Sequence, residues 1–137
     1  MTLQDALALE TVYRLRPRYA ETDQMGVVYY ANYLVWFECA RTEWIRHLGM
    51  TYAELERQGL FLPVKRCELE YHDSARYDRP LSITARVRKL TPARVEFLYR
   101  VTDDESNALL AEGSTVHAFV DAAGRVSRGG MKALGIE

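Results

Sequence analysis

Chemistry in this chain would start from a carboxylate. The segment Tyr19-Ala20-Glu21-Thr22-Asp23-Gln24-Met25-Gly26-Val27-Val28-Tyr29-Tyr30-Ala31-Asn32-Tyr33 places Asp23 a few residues before the start of the one long helix that the pattern supports. A helix N-terminus leaves backbone N–H groups free and carries the positive end of the dipole, so it can hold a developing negative charge. Gly26 lets the backbone turn sharply or come close to a ligand. Tyr29, Tyr30 and Tyr33 would wall the site. Acyl transfer to water needs just such a pair when no serine or cysteine nucleophile is at hand: one group activates water or attacks directly, and the other holds the oxyanion. Asp and Gly are also ordinary turn residues, so composition alone reads the same letters as a plain turn.

Other chemistries lack their usual supports. The chain has no G-x-S-x-G elbow, no G-x-x-x-x-G-K-[ST] phosphate loop, no G-x-G-x-x-G fingerprint and no H-E-x-x-H zinc motif. His47, His72 and His117 are spread over a helix, a strand end and a strand, which gives no metal-ligand spacing, so no metal is expected. His72-Asp73-Ser74 carries the letters of a hydrolase triad, but neighbours in an extended chain point to alternate sides; it reads as a turn. Cys39 and Cys67 also lack ligand spacing and read as small buried apolar residues of a reduced, cytoplasmic protein.

The elements that must position Asp23 follow from periodicity. From Val12 to Tyr19, Tyr13, Leu15 and Tyr19 alternate with Arg14, Arg16 and Arg18, the pattern of a half-buried strand that Pro17 makes an edge or ends early. From Asn32, taken as a helix cap, Tyr33, Trp36, Phe37, Ala40, Trp44 and Leu48 recur at three- and four-residue steps, with Glu38, Arg41, Glu43 and Arg46 on the opposite face. Gly49 stops this helix after about 17 residues, or ~25 Å. Thr51 and Glu54 form a capping box for a short helix closed by Gly59. The period then changes to two over Leu60 to Tyr71, Leu81 to Leu90, Arg94 to Val101 and Ala108 to Asp121. The middle two form a hairpin across Thr91-Pro92-Ala93.

A length of 137 residues, with 48% hydrophobic and 27% charged residues, suits one globular domain spanning 1–137, with its core at about 12–121. A formal net charge of -1 draws the chain to no nucleic acid, although 15 of its 18 basic residues are Arg, whose fork suits carboxylate and phosphate. No run approaches the ~20 apolar residues of a membrane span. Five strands at ~4.8 Å spacing make a sheet ~24 Å wide, more than one helix of ~10 Å can cover on both faces. The expected architecture is α+β: a long central helix wrapped by a five-stranded antiparallel sheet, with leftover apolar surface and an edge strand that a second copy covers.

The stretch Tyr19-x-x-x-Asp23-x-x-Gly26-Val27-Val28-Tyr29-Tyr30-x-Asn32-Tyr33 resembles the signature of the 4-hydroxybenzoyl-CoA thioesterase-like branch of the hotdog-fold acyl-CoA thioesterases. Trp36-Phe37-Glu38, Ala40-Arg41, the segment from Gly59 to Glu70, Tyr77-Asp78-Arg79-Pro80-Leu81 and Glu112-Gly113-Ser114-Thr115-Val116-His117 fall in family order, so the likeness spans about residues 12 to 121. The resemblance implies the hotdog fold and hydrolysis of the thioester of a short-chain or aromatic acyl-CoA without a cofactor. Asp23 stands where the family has its catalytic carboxylate, acting as base or nucleophile. Glu21 stands where relatives often have a second acid. Gly26, Tyr29, Tyr30, Asn32 and Tyr33 then bind substrate; Tyr30 stands where many members have histidine and others tyrosine. Such enzymes pair subunits across the site as dimers or tetramers. They use basic residues of the hairpin for the coenzyme A phosphates, which here implies Arg88, Lys89 and Arg94, near Arg86. Two other readings are a non-catalytic acyl-CoA or acyl-carrier sensor of the same fold, against which Asp23 argues, and a hydratase, whose His/Asp pair has no counterpart here.

Overall fold

Local capping and turn chemistry set the element boundaries along the chain. The structure, a computed structural model, describes residues 1–137. Helix α1 (Leu3–Ala8) opens with a complete capping box between Thr2 and Asp5, and strand β1 (Glu10–Leu15) stops just short of Pro17. A 3-10 turn over Tyr19–Glu21 leads to the hairpin-like loop before α2 (Asn32–His47). Helix α3 (Tyr52–Arg57) starts at Thr51, whose side chain accepts from Glu54 N–H. Strands β2 (Val64–Tyr71), β3 (Leu81–Leu90), β4 (Arg94–Asp103) and β5 (Leu109–Ala118) follow, and α4 (Gly130–Ala133) closes the chain. Gly49 and Gly59, at φ +82 and +80, end α2 and α3 in the left-handed region where glycine is least strained.

The strands form one antiparallel sheet in the order β1-β3-β4-β5-β2. Helix α2 lies on one face of it, the hotdog arrangement. Its buried stripe is Tyr33, Trp36, Phe37, Ala40, Arg41, Trp44 and Ile45. Phe37 stacks on Tyr99 of β4 at 4.2 Å between centroids, and Trp44 meets Phe97 edge-on at 5.5 Å. Gly113 of β5 permits this close approach. A Cβ there would lie 2.3 Å from the Glu68 carbonyl oxygen and 2.8 Å from the Phe37 ring.

Several expectations need correction. The residue that caps α2 is Ala31, without a side-chain bond, and Asn32 is already helical; its amide instead donates to the Glu21 carbonyl at 2.9 Å. Arg41 is not on the solvent face but 9% exposed. Tyr19 lies beyond the end of β1 and is 77% exposed, and Cys67 is exposed on β2. Strand β2 begins only at Val64, because Pro63 offers no ladder N–H; before it, Phe61 makes an isolated bridge to Val120. Every residue of β2 except Leu69 is exposed, as befits an edge strand.

Candidate active site

The loop ahead of α2 is a small hairpin with two very different sides. Asp23 N–H donates to Val27 O at 2.9 Å, Gly26 N–H to Asp23 O at 3.0 Å, and Tyr29 N–H to Glu21 O at 2.8 Å. Gly26, at φ +78, supplies the reversal. The hairpin is braced from outside by the segment 75–78: Val28 N–H donates to Ala75 O, Val27 bridges Arg76, and Asp78 N–H donates to Pro17 O. At the base of the hairpin Glu21 is buried. Its carboxylate accepts from Trp36 Nε1 at 2.9 Å and from Arg18 N–H at 2.8 Å, which fixes the entry to α2.

Asp23 sits at the exposed tip. Its Oδ1 accepts from Met25 N–H at 2.8 Å, while Oδ2 accepts from no group of the chain. The carboxylate lines an open depression of about 730 Å³ with Tyr19, Thr22, Gln24, Gly26 and Tyr77. Tyr19 and Tyr77 meet edge-to-face at 5.7 Å and form its aromatic wall. These two tyrosines were not among the expected site residues; the signal was their place in the two quoted motifs. Tyr29 and Tyr30 are exposed and packed on each other at 4.7 Å, close to Asp23 in sequence but outside this depression. Tyr33 belongs to the core at 2% exposure, where its hydroxyl accepts from Ala75 N–H at 3.1 Å and so helps hold the brace.

The expected basic residues do gather. Arg88, Lys89 and Arg94 line one cleft of about 230 Å³ on the β3–β4 hairpin, joined by Arg66 from β2, which sequence reasoning did not include because it needs the far-edge position of β2. Arg88 is held by both oxygens of Glu96, with Nε 3.2 Å from Oε2, and this contact keeps the Glu96 carboxyl below its usual range. Arg66 pairs with Glu68 at 2.6 Å. Lys89 and Arg94 make no ion pair, whereas Arg66 and Arg88 are already engaged.

The three histidines stay on separate elements. His72 pairs with Glu112 at 3.3 Å on the outer sheet surface, near Glu70, and His117 is buried.

The chain belongs to the thioesterase-like superfamily, whose family model matches residues 17–133, and is a thioester hydrolase by class. It is 37% identical over 103 residues to the acyl-CoA thioesterase YbgC of Haemophilus influenzae, covering 74% of each chain. It is 33% identical over 107 residues to the acyl-CoA thioester hydrolase YbgC of Escherichia coli O6:H1, covering 78% of this chain and 79% of that one. The solved DHNA-CoA thioesterase of Staphylococcus aureus superposes with a TM-score of 0.84 at 32% identity, covering 88% of this chain and 80% of that one.

Proposed function

We propose that the protein hydrolyses the thioester of a short-chain or aromatic acyl-CoA, giving the free acid and the coenzyme A thiol, with Asp23 as the catalytic carboxylate. The observation that carries this reading is the state of that side chain. One oxygen is pinned by its own turn and the other is free, at the mouth of a depression walled by Tyr19 and Tyr77. A carboxylate so held can take a proton from water as water attacks the carbonyl, or attack the carbonyl itself. Oxyanion stabilisation falls to backbone N–H groups at a helix N-terminus. Lys89 and Arg94 bind the nucleotide phosphates of coenzyme A, with Arg88 in support. Gly26, Tyr29, Tyr30, Asn32 and Tyr33 shape the acyl side, the last two through the brace and the helix entry. The chain works as a homo-oligomer, a dimer or tetramer, in a reducing cytoplasm. The exposed edge strand β2 and the free thiols of Cys39 and Cys67 support both statements.

The test is a thiol-release assay with a panel of short-chain and aromatic acyl-CoA thioesters, run on wild type and Asp23→Asn. The variant should keep its melting temperature and lose about 10²-fold or more in kcat, the usual scale for a positioned base. Full turnover by the variant would remove Asp23 from the mechanism. Binding of acyl-CoA without turnover by wild type would favour the sensor.

A further inference from the structure

The interior holds a charge that the proposed reaction does not use. Arg41, nine residues into α2 and ~13 Å along the helix from its start, is 9% exposed and forms no ion pair. Its side-chain partner is the Tyr52 hydroxyl, which accepts from Nε at 3.2 Å.

The neighbouring polar chain has a fixed direction. His117 Nδ1 lies 3.0 Å from the Leu62 carbonyl, which can only accept, so that nitrogen carries the proton and Nε2 of the neutral ring accepts from Thr115 Oγ1 at 2.8 Å. Thr115 then accepts from the Tyr99 hydroxyl at 2.6 Å, and the Tyr99 oxygen is left to face Arg41. Two phenol oxygens therefore stand against the five N–H donors of a guanidinium.

A buried charge is costly unless partnered. Arg41 borders an open cavity of about 660 Å³ whose apolar side is made by Phe61, Leu62, Pro63 and Val120. Three carboxylates also line it, Glu38 and Glu56 at the exposed rim and the half-buried Asp121, none within 4.0 Å of the guanidinium.

We propose that this cavity is a second binding site, for a monocarboxylate on a hydrocarbon or aromatic body. The guanidinium fork pairs with a planar carboxylate, the Tyr52 hydroxyl adds a donor, and the apolar walls take the body. The three carboxylates of the lining repel a phosphate dianion more strongly than a monoanion, so a monocarboxylate is the better fit for the single guanidinium. The carboxylate has two sources: a free acid such as the product of thioester hydrolysis, or the distal end of a dicarboxylyl group carried on coenzyme A.

Titration of the tag-free protein with benzoate and hexanoate, followed by calorimetry and NMR, tests the site without turnover. We expect one ligand per chain with a Kd below about 1 mM, and at least ~10-fold weaker binding of benzamide and of inorganic phosphate. Arg41→Met should abolish the preference for carboxylate over amide. Ala122→Trp, which fills the cavity from an exposed position and keeps Arg41, should abolish binding even if Arg41→Met fails to fold. Glu38→Gln should tighten binding two- to five-fold, on the order expected for removing one exposed like charge. Asp23→Asn should bind as wild type, which separates this site from the proposed catalytic one.

Equal binding of benzoate and benzamide, no saturation by about 10 mM, or unchanged binding in Ala122→Trp overturns the proposal. The source is decided by kinetics on wild type and Arg41→Met. A rise in KM confined to dicarboxylyl-CoA substrates assigns the carboxylate to the acyl group; equal KM values, with free benzoate still bound, assign it to the free acid.

Discussion

Glu21 and Asp23 lie two residues apart and belong to different regions of the molecule. Glu21 faces inward, with both oxygens taken by Trp36 Nε1 and Arg18 N–H. Asp23 faces outward at the hairpin tip, with one oxygen free. The same division runs through much of the protein, with the buried Arg41, which has no ion pair, and the unpartnered Thr11 hydroxyl as interior exceptions. The interior carries satisfied polar groups such as Glu21, Thr115 and His117, which hold α2 and the sheet in register. The rim carries the unsatisfied ones, Asp23, Lys89 and Arg94. Interior polar groups should therefore govern stability and leave chemistry alone, while rim groups should do the reverse.

The largest test of the interior half is pH. Burial pushes the His117 imidazole down to about 4 from an ordinary 6.5, and the nearby Arg41 charge adds to this, against the hydrogen bond to Leu62 O, which favours the protonated ring. The unfolded chain binds a proton at His117 below pH 6.5 and the folded chain does not until about pH 4. Stability from this group is therefore complete above pH 6.5 and is lost as pH falls towards 4, by about 3 kcal/mol in all. Chemical denaturation of wild type and His117→Gln at a series of pH values should show this slope flattened in the variant. An unchanged slope would mean that the acid sensitivity arises elsewhere.

A smaller effect bears directly on the two acids. Glu21→Ala leaves the buried Trp36 Nε1–H without a partner and should cost about 1–3 kcal/mol of stability. Asp23→Ala removes one exposed turn bond to Met25 N–H and should cost under about 1 kcal/mol. Equal losses in urea melts would break the division between the two residues.

How much of this was legible beforehand depended on the range of the interactions. The α2 stripe from Tyr33 to Trp44 and the β3–β4 hairpin follow from periods of 3.6 and 2, which are local, and both stand in the structure. The Thr2/Asp5 box of α1 was also local, but a six-residue helix leaves too little apolar period to announce itself. The placement of β2 at the far edge beside β5 is a long-range pairing, and with it went the recruitment of Arg66 to the basic cleft. Arg41 misled for a different reason. A charge between Glu38 and Glu43 reads as solvent-facing, yet its step of four from Phe37 sets it on the buried stripe. At the site, the motif located Asp23 and Gly26 correctly on one turn, but the wall made by Tyr19 and Tyr77 depends on the segment 75–78 folding back on the loop.

The rim half of the comparison is sharpened last, at the basic cleft, where the cations differ in how free they are. Arg88 already donates to Glu96, so an incoming phosphate must compete for it, whereas Lys89 and Arg94 are unpaired. Replacing Lys89 and Arg94 together by Ala should raise KM for acyl-CoA by about 10-fold, the sum of two exposed charge contacts, with kcat and melting temperature nearly unchanged. Arg88→Ala should do less, because it also frees the Glu96 carboxylate. Two controls separate phosphate binding from a general change in the enzyme. A thioester on a short pantetheine-like thiol, lacking the nucleotide, should show no difference between wild type and variant. Raising the ionic strength should shrink the difference for acyl-CoA, since salt screens exposed charges. A KM change that persists with the truncated thioester would place these side chains on the acyl path instead.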